Sequence, residues 1–516
     1  MVAARESARQ PSEIELKLEF APADFGRIAN HKELQRSLAP PEERELVSIY
    51  FDTPDSALHQ AGVYLRVRES GGGRYVQTIK AAKNGDLIER HEWERVVAGP
   101  TPVLDAAKGT ALEPLLTDTV KEQLQPVFET RIRRTLYRLE HDGAEIEAAI
   151  DRGEISTRTQ ACPVCELELE LKGGEPKALF RLARVLAEDV PLRVEVKTKA
   201  ERGFELLRDG RLKPERAREL SIVPEMTAGE AFRAIARSCL RQVIANEPAM
   251  CNGQAAALHQ MRIGLRRLRA AIAIFAGAVR DEELDEIKSE LRWITQQLGP
   301  ARDLDVFAAD VLAPLRERHP ADQAIGAAHA EFEAKRAAAY ATAIGAIKSA
   351  RFRGAILDLA EWIETGAWSS AVDTASSRDR PVAEHAKAKL AELRKRIKRQ
   401  GAGLRQLSVP KRHRLRIRAK RLRYATEFFA AAFPGAASAQ RRTEFLSALK
   451  DLQDELGALN DLATHRNLIA EHIGEGGAED AAGSHLAPRE EHAERLLLAA
   501  EGAYARFAGI SAFWKG

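Results

Sequence analysis

The stretch EIELK (13–17) sets two glutamates and a lysine at every second position, with Ile14 and Leu16 between them. In an extended chain alternate side chains share a face, so Glu13, Glu15 and Lys17 point one way and the apolar residues the other. The pattern recurs. Glu166, Glu168 and Glu170 alternate with leucines in ELELEL, and Arg66 and Arg68 flank Val67 in LRVR. Lys80 closes QTIK, Glu92 sits in RHEWE, Arg134 in FETRIRRT, Asp151 closes EIEAAID and Lys199 follows VEVKT. Two arrangements accommodate these faces. One is a sheet with a solvated, mixed-charge outer surface. The other is a closed barrel whose apolar face turns outward against helices and whose interior encloses the charges. Enclosure is costly unless a ligand and metal ions complete the site. Arginine and lysine from several strands would then grip a compact polyanion such as a short phosphate chain. Carboxylates beside phosphate call for hard divalent cations between them, and Mg²⁺ or Mn²⁺ suits both sets of oxygens.

The elements that must position these residues change character along the chain. Up to about residue 210 short alternating runs are separated by Gly, Asn-Gly and Pro breaks, the signature of consecutive antiparallel strands. After a Pro-containing link near 213–224, apolar residues recur three and four apart in an Ala-, Leu-, Arg- and Glu-rich sequence, which predicts helices to the C-terminus. A length of 516 residues implies two or three domains. With 45% hydrophobic and 30% charged residues and a net charge of +3, the composition is that of a soluble globular chain with local segregation of sign. The first residues lack the apolar core of a secretory signal, no run reaches membrane-span length, and four cysteines supply no disulfide framework. A cytoplasmic home is therefore expected. Cys162 and Cys165 form a CxxC that leads into a strand and has no second pair, which argues against a zinc or redox site.

The helical half repeats itself. HQMRIGLRRLRAAIAIF (259–275) aligns without a gap on HRLRIRAKRLRYATEFF (413–429), and LGPARDLD (298–305) echoes LGALNDLA (456–463) in the same order. His259, Arg262, Arg266 and Arg269 fall on one helical face, and His413, Arg416, Lys420 and Arg423 repeat it. Like charges at this spacing repel, and a polyanion that displaces condensed counterions would relieve the cost. A solvated basic face, or one paired with acids such as Asp303 and Asp461, is the alternative. No aromatic platform is interleaved with the basic residues, which argues against nucleic acid as a partner.

Taken in order, EIELK, YFDTPDSAL, LRVR, TIK, ELELEL and TKAERG resemble the CYTH family of triphosphate tunnel metalloenzymes, across residues 11–210. The resemblance implies an eight-stranded antiparallel β-barrel whose interior binds triphosphate and a divalent metal. It implies that Lys17, Arg66, Arg68, Lys80, Arg134 and Lys199 bind phosphate, with Arg131 and Arg133 as alternatives to Arg134. It implies that Glu13, Glu15, Asp151, Glu166, Glu168 and Glu170 hold metal and position water, although which glutamates of ELELEL touch metal stays open. Lys17, Glu92 and Glu168 are the implied catalytic residues.

Residues 225–510 resemble the CHAD domain, a duplicated all-α bundle, with repeats near 225–365 and 380–510. That resemblance implies inorganic polyphosphate binding at His259, Arg262, Arg266, Arg269, His413, Arg416, Lys420 and Arg423. Together the halves lead us to expect an α+β, two-domain inorganic triphosphatase that cuts tripolyphosphate to pyrophosphate and phosphate and uses Mg²⁺ or Mn²⁺. The alternatives are a polyphosphate-binding protein with little turnover, an organic triphosphatase such as a thiamine triphosphatase, or a class IV adenylate cyclase-like enzyme. Removing residues 222–516 is expected to spare turnover of free tripolyphosphate and to lose polymer binding.

Overall fold

The computed structural model describes residues 13–69, 71–81, 89–208, 212–472 and 490–515. Its N-terminal half is a sheet of β1 (Glu13–Glu19), β2 (Glu42–Asp52), β3 (Val63–Glu69), β4 (Tyr75–Ala81), β5 (Glu89–Val97), β6 (Gln125–His141), β7 (Ala144–Ser156), β8 (Ala161–Gly173) and β9 (Arg193–Val194). The order is β5-β4-β3-β2-β6-β7-β8-β1-β9, with the recorded pairings antiparallel. Short connections enforce this. Between His141 and Ala144, Asp142 and Gly143 adopt φ of 49° and 73°, the positive values that a two-residue hairpin loop demands.

The expected eight-stranded closed barrel is not what forms: among the described residues the sheet has nine strands and is not closed into a barrel. β1 meets β5 at Glu13↔Arg90 and Ile14↔Glu89, a contact of two residue pairs. The reason is length. Of the seven residues of β1, six, from Ile14 to Glu19, pair along one edge with β8, and on the other edge Leu18 and Glu19 are already taken by β9.

Alternation then sorts the side chains as the sequence pattern requires. Leu167 and Leu169 on β8 are fully buried, and the amphipathic helix Lys177–Asp189 covers β1 and β8 with Leu179, Phe180, Leu182 and Leu186. A second helix, Lys199–Leu207, lies on β6 and β7 and shares a core with Leu46, Tyr50, Phe128 and Ile132. Gly203 is required there, because a Cβ would overlap the Phe128 ring.

Two compact units form. The first comprises Met1–Arg218, Leu240–Asn252 and Lys348–Thr365, so the sheet collects two segments from later in the chain. Arg184 Nη2 pairs with Asp358 at 2.7 Å, Lys177 with Glu361 at 3.7 Å and Arg193 with Glu247 at 3.7 Å, which fastens both segments to it.

The second unit is helical. The repeated sequences lie on the helices Ala255–Ile274 and Val409–Phe428, which pack on each other. Phe232, Phe275, Phe429 and Trp368 fill its interior, with the His385 ring stacked on Phe275 at 4.7 Å. The duplication is visible in detail. A Cβ at Gly299 would meet Arg262 Nη1 at 3.4 Å, and one at Gly457 would meet Arg416 Nη2 at 3.5 Å, so each repeat uses the same glycine to lay the same arginine along a helix.

Candidate active site

A cavity of about 670 Å³ is lined from β1 to β8 by alternate residues: Glu15 and Lys17, Arg66 and Arg68, Lys80, Glu92, Arg134, Asp151, Glu168 and Glu170 among them. Thr130 and Ile132 join Arg134 on this face, whereas Arg131 and Arg133 fall between them on the other. Lys199, the first residue of the helix Lys199–Leu207, adds its ammonium.

Cations and acids interlock. Lys17 Nζ lies 2.9 Å from Glu168 Oε1, its cross-strand neighbour, and 3.5 Å from Glu15 Oε1. Arg134 Nε and Nη2 form a fork on the two oxygens of Asp151, both at 2.7 Å, and Nη2 also reaches Glu168 Oε2 at 2.5 Å. Lys199 Nζ stands amid three carboxylates, at 2.8 Å from Asp151, 2.5 Å from Glu166 and 2.9 Å from Glu168. Across the cavity Glu92 joins Arg66 at 3.0 Å and Lys80 at 2.6 Å. Arg68 donates to Ser48 Oγ at 3.3 Å and forms no ion pair among the described residues.

These contacts set the charge states. Burial pushes the Glu168 carboxyl up, but Lys17, Lys199 and Arg134 together hold it well below the carboxylate range. Burial likewise opposes ionisation of Glu92, and Lys80 with Arg66 brings it down to about 2. Asp151 is lowered against its burial by Lys199 and Arg134. Arg68 moves the other way: burial, with Arg66 and Arg134 nearby, lowers its guanidinium to about 10. A buried cation in this condition gains from an anion.

The residues fit a divalent metal. Asp151, Glu166 and Glu168 each bring a carboxylate oxygen within 4.8 Å of the others, the donor set a hard cation takes. Glu166 is the fully buried member of this cluster, and Arg202 also holds it at 2.7 Å. Glu15 and Glu170 line the cavity outside the cluster, and Glu170 pairs with Lys172 at 2.5 Å. The side chain of Glu13 lies outside the described residues. The residues also fit phosphate, since the buried Arg66 Nε has no hydrogen-bond partner among them.

Sequence reasoning missed several lining residues. Arg44, Tyr50, Tyr64, Glu94 and Glu147 continue the alternate positions of their strands, so parity could have found them. Arg218 and Arg241 also line the cavity, yet neither lies on a strand and no local pattern marks them. Cys162 and Cys165 are free thiols on β8.

In the helical unit, His259, Arg262 and Arg266 are half-buried and Arg269 is exposed; His413 is exposed and Arg416, Lys420 and Arg423 are half-buried. Burial, with Arg302, Arg266 and Arg262 nearby, lowers the His259 imidazole, and burial also lowers Arg262 although Asp303 sits 3.7 Å away. His413 Nδ1 instead meets Asn460 Oδ1 at 2.6 Å. Arg423 is 3.3 Å from Glu427.

Among the described residues no helix is long and apolar enough to cross a membrane.

Comparison with known proteins places both halves. The CYTH domain family matches residues 11–204, and the CHAD domain family matches residues 234–470. An inorganic triphosphatase of Haemophilus influenzae is 28% identical over 198 residues, which cover 37% of this chain and 54% of that protein. The chain thus spans about half the length of this curated relative. The CHAD domain of the plant Ricinus communis is 28% identical, covering 57% of this chain and 96% of that one at a TM-score of 0.49. A putative adenylyl cyclase of Hippeastrum with a dominant triphosphatase activity is 18% identical, covering 39% of this chain and 98% of that one at a TM-score of 0.29. One family thus matches the strand-rich half and the other the helical half, so the chain carries a CYTH domain followed by a CHAD domain.

Proposed function

We propose that this protein is a metal-dependent inorganic triphosphatase that hydrolyses tripolyphosphate to pyrophosphate and phosphate, and that its helical half binds inorganic polyphosphate. The observation that carries the reading is the meeting, on one cavity, of Lys17, Arg134 and Lys199 with the carboxylates of Asp151 and Glu168. Lys17, Arg66, Arg68, Lys80, Arg134 and Lys199 bind phosphate oxygens and spread the charge of a loose, metaphosphate-like transition state. Asp151, Glu166 and Glu168 would hold Mg²⁺ or Mn²⁺, which would supply Lewis-acid neutralisation of phosphate oxygens. Glu15 and Glu170 border the same cavity and support that charge balance, with Glu13 at the start of the strand. Glu92, held near 2, is too weak a base to take a full proton at neutral pH, so its role is to accept a hydrogen bond and orient the attacking water.

On the helical half, the paired basic faces carrying Arg262, Arg266, Arg269 and His259, and Arg416, Lys420, Arg423 and His413, hold the polymer and raise its concentration near the enzyme. The four cysteines are free, in keeping with a cytoplasmic setting. Phosphate release from tripolyphosphate, ATP and thiamine triphosphate, each with Mg²⁺, with Mn²⁺ and with chelator, tests the reading. Metal-dependent release chiefly from tripolyphosphate is expected. Release chiefly from an organic triphosphate, or none from any, overturns it.

A further inference from the structure

We propose that Arg241 is a positioning residue for Lys199, clamping the chain on both sides of that lysine. The proposal rests on the reading of the cavity as a triphosphate site. Arg241 lies in the last turns of the helix Ala228–Ile244, inside the segment that matches CHAD, yet it belongs to the compact unit built on the sheet. Its side chain is 8% exposed, and each guanidinium nitrogen already donates within the protein. Nη1 donates to the Val196 carbonyl, three residues before Lys199, and Nη2 to Glu201 Oε1 at 2.7 Å, two residues after it. Nε donates to Glu215 Oε1 at 3.1 Å, and Arg218 shares Glu201 Oε1 at 2.6 Å.

Glu201 is the hinge of the arrangement. Its other oxygen accepts from the Thr198 amide at 2.8 Å while its own amide donates to Thr198 Oγ1 at 3.0 Å, a reciprocal cap on the helix that Lys199 opens. The Glu201 carboxyl is pushed up by burial but brought down to about 2 by Arg241 and Arg218, so the cap works through a fixed charge. Holding Lys199 Nζ at 2.5 to 2.9 Å from three carboxylates requires that its backbone not drift, and small misplacements of a reacting constellation are costly. A lysine at 241 could not span three acceptors as a planar guanidinium does.

A double-mutant cycle in the full chain tests the clamp. Tripolyphosphate dissociation constants are measured for wild type, Arg241→Met, Lys199→Met and the double variant, with Arg241→Lys as the milder change should Arg241→Met fold poorly. Arg241→Met is expected to weaken binding about tenfold in the wild-type background and less than about twofold once Lys199 is gone, because coupled groups do not add. Equal losses in both backgrounds overturn the proposal. Amide hydrogen exchange reads the same clamp without substrate. Faster exchange at Thr198 and Glu201 in the Arg241 variants, with β8 unchanged, is expected, and unchanged exchange at those amides overturns it. Faster exchange in a protein that neither binds nor cleaves tripolyphosphate would leave the clamp standing and remove the triphosphatase reading instead.

Discussion

Lys199 in the cavity has three carboxylates within 2.9 Å of its ammonium, whereas Arg262 on the helical surface has Asp303 at 3.7 Å and two further arginines nearby. Both regions concentrate basic residues, but they neutralise them differently. In the cavity Lys17, Arg66, Lys80, Arg134 and Lys199 each meet a carboxylate, Arg68 being the exception, and Glu168 and Asp151 stay ionised because of these pairs. Such a site keeps its geometry before any ligand arrives, at the cost of desolvating every member. On the helices Arg262, Arg266, Arg416, Lys420 and Arg423 are half-buried, with Asp303 beside Arg262 and Glu427 beside Arg423, and a polyanion would offset the repulsion between neighbouring cations. The first arrangement suits chemistry on a small anion; the second suits attachment to a long one.

The sharpest way to break this contrast is to cut the chain. A protein ending at residue 221 lacks Arg241, residues 240–252 and residues 348–365, all part of the compact unit that holds the cavity. It is expected to lose turnover altogether and to show a lower Tm, read by phosphate release and thermal melting. Undiminished turnover would restore the simpler expectation of a separable enzyme. Next in size, Glu168→Gln and Lys17→Ala remove one side of a buried pair, and each should lower kcat about 10²- to 10³-fold with the fold intact by circular dichroism. A smaller effect is expected on the helices. Arg416→Ala and Lys420→Ala should weaken polyphosphate binding and reduce the slope of log affinity against log salt by roughly one per residue, leaving turnover of tripolyphosphate unchanged.

The smallest expected effect concerns acid stability. The Glu92 carboxyl sits at about 2 in the folded protein against an ordinary 4.5, so its ionised form stabilises the fold above pH 4.5. That contribution is lost as pH falls from 4.5 towards 2. Glu92→Gln should therefore flatten the acid limb of the Tm–pH curve in that window and nowhere else.

Much of the cavity was legible because strand parity is a local property. EIELK and ELELEL announce which side chains share a face, and Lys17 and Glu168 duly meet across β1 and β8. Parity also separates Arg134 from Arg131 and Arg133 once the neighbours Thr130 and Ile132 are seen to face the cavity. The helical duplication was legible for the same reason, since an aligned pair of sequences needs no knowledge of the fold. Closure of the sheet was not, because it depends on how few residues β1 can offer β5. Nor was Arg241, one arginine among many on an amphipathic helix, whose three acceptors lie between 26 and 45 positions away in sequence.

The gathering of residues 240–252 and 348–365 into the sheet-bearing unit has a consequence for how the protein is born. A chain leaves the ribosome N-terminus first, and domains ordinarily fold as they emerge, at roughly 5–20 residues per second. Here the strands are all synthesised by Val194, but the unit they build is incomplete until Thr365 has appeared. For an interval on the order of ten seconds, at that rate, the nascent sheet exposes the surfaces those segments will cover. Until residue 241 has itself been made, Glu201 has no Arg241 beside it. The sheet-bearing unit should therefore be completed late, after the helix Ala255–Ile274 has been made and before the helix Val409–Phe428.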